Sequence, residues 1–243
     1  LLLLCCILIL HVNAGFAADY QVFWGDIHAH TSYSDDAYLI QKDLYPSLDP
    51  ERPGVALQYA ADFAHLDFVA LTHHAEHLEL YRDGDGNLIP DGAGNPIDEW
   101  QDIIAQSSEG LAPSGLVVFF GFEYTKTAED AQQNPVPGAG HKCVIFKNST
   151  VPQLPISAVE GKPLANSPYA ALPSNLWTQL DTGGFDYITI PHHPAKGTSA
   201  IISPETNMST DWNYVNATRQ PLVEVFSVHG SSDYKGCPDE VDG

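Results

Sequence analysis

Residues 23–37, FWGDIHAHTSYSDDA, set two histidines one position apart at the end of an apolar, strand-like run, with an acidic pair a few positions on. In a strand, residues two apart face the same side, so His28 and His30 can grip one cation, or two neighbouring ones, from a single strand end. A lone His-x-His says little. Its weight depends on what the other strands carry at their ends.

Apolar runs rich in β-branched and aromatic residues recur at 22–27, 66–71, 116–122, 143–146, 187–190 and 222–228 and predict buried strands. Helical spacing falls between them at 55–64, 100–107 and 175–180, the last before the Gly183-Gly184 stop. Strands alternating with helices define an α/β class. Each strand then ends or begins with a candidate ligand: His73-His74, Glu123, His141, His192-His193 and His229. His141 precedes its strand, which in a parallel fold would put it at the wrong end. The connection before it carries Pro135, Pro137, Gly138 and Gly140 and no helical period, so that strand can return antiparallel and bring His141 beside Glu123.

With 243 residues, one large domain is expected. Two Gly/Pro-rich stretches, 83–98 and 132–140, read as surface insertions, the first as two turns of a hairpin. A calcium loop through Asp83, Asp85 and Asn87 is the rival reading there, without the Gly and Glu such loops carry. The net charge of −21, from 31 acidic against 10 basic residues, repels phosphate backbones and anionic lipid headgroups. Nucleic acid and membrane surfaces are therefore not expected partners.

The leader LLLLCCILILHVNAGFAA reads as a signal peptide that has lost its basic start, with Gly15 and Ala17 placed for cleavage after Ala17. A mature chain of 18–243, secreted or periplasmic and without stable membrane insertion after cleavage, follows. It keeps Cys143, read as a buried core thiol, and Cys237, too few for a disulfide framework. Asn148, Asn207 and Asn216 fit the glycosylation sequon.

WGDIHAHTSYSDDA, DFVALTHHAE, GFEYT, GHKCVIF and IPHHP, in that order from about Val22 to Val228, resemble the successive motifs of the PHP (polymerase and histidinol phosphatase) superfamily, specifically its secreted branch known as domain of unknown function 3604. The resemblance implies a distorted (β/α)7 barrel, here incomplete at its C-terminal end. It implies two or three divalent transition-metal ions at one rim and hydrolysis of phosphoesters. Carried over, the ligand roles fall on His28, His30, Asp36, His74, Glu123 as bridging carboxylate, His141 and His192. Asp35 and Asp36 remain alternatives, and His73 stands where the family usually has Asp. The family's late Asp-x-His pair has no counterpart before Gly243, so the chain reads as a fragment.

Mixed imidazole and carboxylate donors suit Zn, Mn or Fe. Ions bridged by a carboxylate activate water as the nucleophile and stabilise an oxyanion. The expected protein is thus a metal-dependent hydrolase of small anionic esters, phosphate first and sulfate second. Glu123 and His192 sit at the chemistry, and His229 meets a substrate anion. His73 and His193 are expected to orient neighbouring ligands, Glu76 stays open between ligand, proton shuttle and solvated side chain, and Glu224 is expected to line the barrel or contact substrate. His65 and His77 read as structural. The rivals are an amidohydrolase-type C–N hydrolase, whose bridging lysine position is held by Glu123, and a non-catalytic exported metal-binding protein.

Overall fold

The computed structural model describes residues 21–34, 36–38, 52–82, 87–108, 112–127, 134, 136–194, 210–227, 230 and 231. The signal-peptide reading of 1–17, Asp35, His229, Cys237 and the rival calcium loop's Asp83 and Asp85 fall outside them.

Five strands form one sheet in the order of the chain: β1 (Gly25–Ala29), β2 (Phe68–Leu71), β3 (Val117–Lys126), β4 (Gly140–Phe146) and β5 (Tyr187–Pro191). β1, β2 and β3 are parallel, each step made through a helix: α1 (Pro53–Asp62) and then α2 (Glu99–Gln106). β4 reverses, pairing antiparallel with both β3 and β5. A short hairpin, β6 (Phe226–Ser227) with β7 (Gly230–Ser231), stands apart. This overturns the (β/α)7 barrel. The chain forms a mixed, curled half-barrel in which the sheet dominates. The physical reason lies in the sequence of the β3–β4 connection: Pro135, Pro137 and Gly138 disfavour a crossover helix, and a strand that follows without a crossover can add only antiparallel.

The convex face of the sheet takes the helices. Val69, Leu71, Phe122, Tyr124, Val144 and Phe146 meet Leu57 of α1, Trp100 and Ile103 of α2, and Leu176, Trp177 and Leu180 of α3 (Pro173–Thr182). Each such side chain contributes about 1.5–3 kcal/mol by leaving water. Local sequence sets the helix starts: Pro53 and Pro173 open α1 and α3, and the Asp98 side chain accepts from the Gln101 N–H to cap α2. Buried Trp100 is satisfied as well as packed, its Nε1–H donating to Pro152 O at 3.0 Å. Around the 83–98 stretch, the described residues form one bridge that encloses two successive ones. Antiparallel bridges join Leu80 to Asp98, Arg82 to Leu88 and Pro90 to Pro96, and Asp91 accepts from the N–H groups of Ala93 and Asn95. Among the described residues no helix is long and apolar enough to cross a membrane.

Two features of the concave face position the site. The first is curl. β1 and β5 are opposite edges, which four interstrand steps of about 4.8 Å would hold about 19 Å apart in a flat sheet. Yet the ring centroids of His28, on β1, and His192, just past β5, are 3.9 Å apart. The second is a β-bulge. Asp26 pairs with Val69 and Ala29 with Leu71, so β1 carries one residue more than its partner over that step. Ile27 accordingly packs on the concave face, Ala29 on the convex one, and His28 is brought onto the concave side next to Ile27. Gly25 is fixed by contact, because a Cβ there would lie 2.3 Å from the Phe68 ring. On the same face, Ile27, Phe119, Ile145, Ile188, Ile190 and Leu222 line a half-open, largely apolar pocket of about 410 Å³, with Lys147 and Asp186 also on its wall.

Candidate metal centre

The strand directions bring all the rim residues to one place. The C-terminal ends of β1, β2, β3 and β5 and the start of antiparallel β4 share an edge, with Thr125 opposite His141 and Glu123 opposite Cys143 in the register. Glu123 is the hub, with 1% of its side chain exposed. Its Oε2 lies 3.4 Å from His28 Nε2 and 3.1 Å from His30 Nε2. Its Oε1 lies 2.7 Å from His141 Nδ1 and 3.3 Å from both His74 Nδ1 and His192 Nε2. Asp36 joins from outside, 3.2 Å from His30 Nδ1 and 3.4 Å from His74 Nε2. The seven residues expected as ligands, His28, His30, Asp36, His74, Glu123, His141 and His192, thus form one continuous cluster.

The spacings suit an ion between the donors. Two donors each about 2.1 Å from one metal lie about 3.0 Å apart at a right angle and about 3.4 Å apart at the tetrahedral angle. Most of the nitrogen–oxygen separations above fall in that interval. His30 Nε2 is buried and, although 3.1 Å from Glu123, is not aligned for a hydrogen bond, so a cation would give it the partner it lacks. The compact donor sets built around the carboxylates are His28, His30 and Glu123; His74, Glu123 and His141; and His30, Asp36 and His74. Imidazoles and carboxylates together suit Zn, Mn or Fe.

Charge is divided across the cluster. Burial opposes ionisation of Glu123, but the field of His74 and the hydrogen bond from His141 hold its carboxyl well below the ordinary range. Burial likewise opposes protonation of His28 and His30, and their carboxylate partners overcome it: Glu123 and Glu224 raise His28 to about 9, while Asp36 and Glu123 raise His30 to about 10. Deeper in, burial wins, lowering His141 and taking His192 to about 3. His28, His30 and His74 are thus pushed toward the charged form, and His141 and His192 toward the neutral one. Beside His74, burial pushes the Glu76 carboxyl up to about 7.

The neighbours sort the remaining expectations. His73 stays out of the cluster; its Nε2 accepts from the Thr31 N–H at 3.0 Å and fixes the turn after β1, and burial keeps it neutral. His193 sits closer than an orienting role requires, grouped with His141 and His192 as a further candidate donor. His65 is an exposed turn residue with φ of 51°. His77, read as structural, packs its ring 5.3 Å from that of His74. Glu224 reaches back from the segment along β5, its Oε2 3.0 Å from His28 Nδ1. Thr125, not singled out in the sequence, touches His74 Nδ1 and donates to Glu123 Oε1 at 3.2 Å. The signal for it was present, since Thr125 is two residues after Glu123 and so shares its face of the strand.

Fold and site together define a mixed α/β protein with a histidine–carboxylate cluster at the rim of a curled sheet. The chain belongs to the family described as "Protein of unknown function (DUF3604)", whose model matches residues 85–242. That match takes in Glu123, His141 and His192 and lies beyond His28, His30, Asp36 and His74. No curated protein and no solved structure matches the chain.

Proposed function

We propose that the protein is a metal-dependent hydrolase of small anionic esters, phosphoesters before sulfate esters. One observation carries the reading: a single buried carboxylate, Glu123, faces imidazoles on both of its oxygens, the donor arrangement that two carboxylate-bridged ions require. Divalent ions held there would lower the pKa of water and offset charge on the non-bridging oxygens of a phosphate or sulfate ester. The protein's own residues supply the rest. Glu123 and His192 are nearly inaccessible while the Asp36 side chain is 50% exposed, so a ligand approaches from the Asp36 side. His28 and His30 lie along that approach as neutral donors, and the cations they would hold favour an anion.

The order of substrates is supported by the motif resemblance to the PHP superfamily, of which we propose this family is a branch. Export through the 1–17 leader is proposed from sequence, and N-terminal sequencing of secreted protein tests it. The activity is tested with aryl phosphomonoesters, phosphodiesters, aryl sulfates and anilides on protein reloaded with Zn, Mn or Fe. Metal-dependent ester turnover that disappears in Glu123→Gln is expected. Faster anilide turnover would move the protein to C–N hydrolysis, and tight metal binding with no turnover to a binding role.

A further inference from the structure

We propose that Cys143 adds a sulfur donor to this centre, forming with His28 and His192 a thiolate–imidazole pocket for a zinc-class, thiophilic ion. The inference rests on the metal-centre reading and goes beyond it by assigning one of the ions its chemical softness.

Cys143 lies on β4 opposite Glu123, on the concave face. Its Sγ is 3.5 Å from His192 Nδ1, while Nε2 of the same ring is turned to Glu123 Oε1. His192 therefore stands between sulfur and carboxylate and offers one nitrogen to each. The His28 ring lies against the His192 ring, and one donor atom from each of His28, Cys143 and His192 falls within 4.8 Å of the others. A sulfur about 2.3 Å and a nitrogen about 2.1 Å from one tetrahedral ion stand about 3.6 Å apart. The observed separation fits that geometry. Packing alone is the ordinary role of a buried cysteine, and Ile145 and Ile190 do pack beside this one. The polar side of the thiol is occupied too, by His192 and by Thr72 Oγ1 at 3.7 Å.

Thiolate donors favour zinc-class ions over manganese or magnesium, which prefer oxygen. The centre would then hold two kinds of position: an outer one rich in oxygen, around Asp36 and Glu123, and an inner one containing sulfur. On binding, the ion takes the place of the thiol proton, which passes to solvent; no electrons are transferred. Because His28 belongs both to this set and to the one with His30 and Glu123, a strongly thiophilic ion would compete with Glu123 for it.

The test uses the full chain with Cys5, Cys6 and Cys237 replaced by serine, stripped of metal and titrated with cadmium. A thiolate-to-cadmium charge-transfer band in the ultraviolet, saturating near about one equivalent, is expected. Cys143→Ser should abolish the band and weaken cadmium binding at least about tenfold, while manganese affinity moves less than about threefold. Cys143→Ala serves as a second variant and should behave alike. Cadmium bound without the band overturns the proposal and leaves the histidine–carboxylate centre standing, as does an equal loss of cadmium and manganese affinity in both variants. Binding of neither ion by the parent chain overturns this inference and the metal-centre reading together.

Discussion

Glu224 holds His28 by the nitrogen that faces away from the cluster: its Oε2 is 3.0 Å from Nδ1, and Nε2 of the same ring then points at Glu123 Oε2 at 3.4 Å. A carboxylate behind a ligating imidazole fixes its tautomer and raises its basicity. Glu224→Ala should therefore lower metal affinity about 10–100-fold, with Glu224→Gln partly restoring it by keeping the contact without the charge. Calorimetric titration of both variants measures this. Unchanged affinity in Glu224→Ala would mean that the contact orients nothing.

The hub residue makes a stricter prediction. Glu123→Gln keeps the shape and removes the charge that both oxygens share among the imidazoles. Metal content by elemental analysis should fall to near zero, whereas the exposed His65→Ala should match wild type. Retention of metal by Glu123→Gln would refute a bridging role.

Acid should expel a metal bound at this cluster. His28 and His30 are held protonated up to about 9 and about 10 in the metal-free protein, and an ion can bind only the neutral rings. Affinity should rise with pH between 6 and 9 by about tenfold per unit for each proton displaced, with proton release visible as a dependence of the calorimetric heat on buffer. The metal-free protein behaves oppositely. Because both folded values lie above the ordinary histidine value of about 6.5, the stability they contribute is fully present below that pH. It is lost as pH rises through about 9 to 10. Urea midpoints of metal-free protein should fall over that alkaline window, and a flat profile there would count against the protonated pair.

The convex core can be probed apart from the site. Trp100, with no exposed surface, should cost about 3–5 kcal/mol on replacement by alanine, whereas Tyr59, 63% exposed, should cost within about 0.5 kcal/mol. Urea denaturation measures both. Equal costs would show that the helix-facing layer is not where the stability lies.

Much of this was legible in the chain. Apolar runs and helical spacing located β1 to β5 and the three helices α1, α2 and α3 to within a few residues, but the runs 22–27 and 222–228 are not the buried strands expected: Val22, Phe23, Trp24, Leu222, Val223 and Val225 are exposed, and only Phe226–Ser227 of the second run is strand. The Pro/Gly connection announced the reversal of β4 and with it the place of His141. The extent of closure was not legible. How far a sheet curls depends on contacts between residues distant in sequence, such as the His28 and His192 rings, and no local pattern encodes that. Nor was the bulge, since Ile27 reads equally well as a regularly alternating residue. Cys143 was read as a core thiol, and its burial agrees; the direction of its sulfur depends on β4 lying against the end of β5. Glu224 lies far along the chain from His28, so only folding pairs them.

The extra residue in β1 has a consequence for how change is tolerated. A strictly alternating strand can offer the concave side either an isoleucine or a histidine at consecutive positions, never both. By carrying one residue more than its neighbour, β1 delivers Ile27 to the apolar pocket and His28 to the donor cluster in immediate succession. Pocket and ligand are thus coupled through a single backbone irregularity. Side chains there are exchangeable in principle one at a time, but strand length is not: an insertion or deletion between Asp26 and Ala29 changes the hydrophobic support and the donor set in the same step.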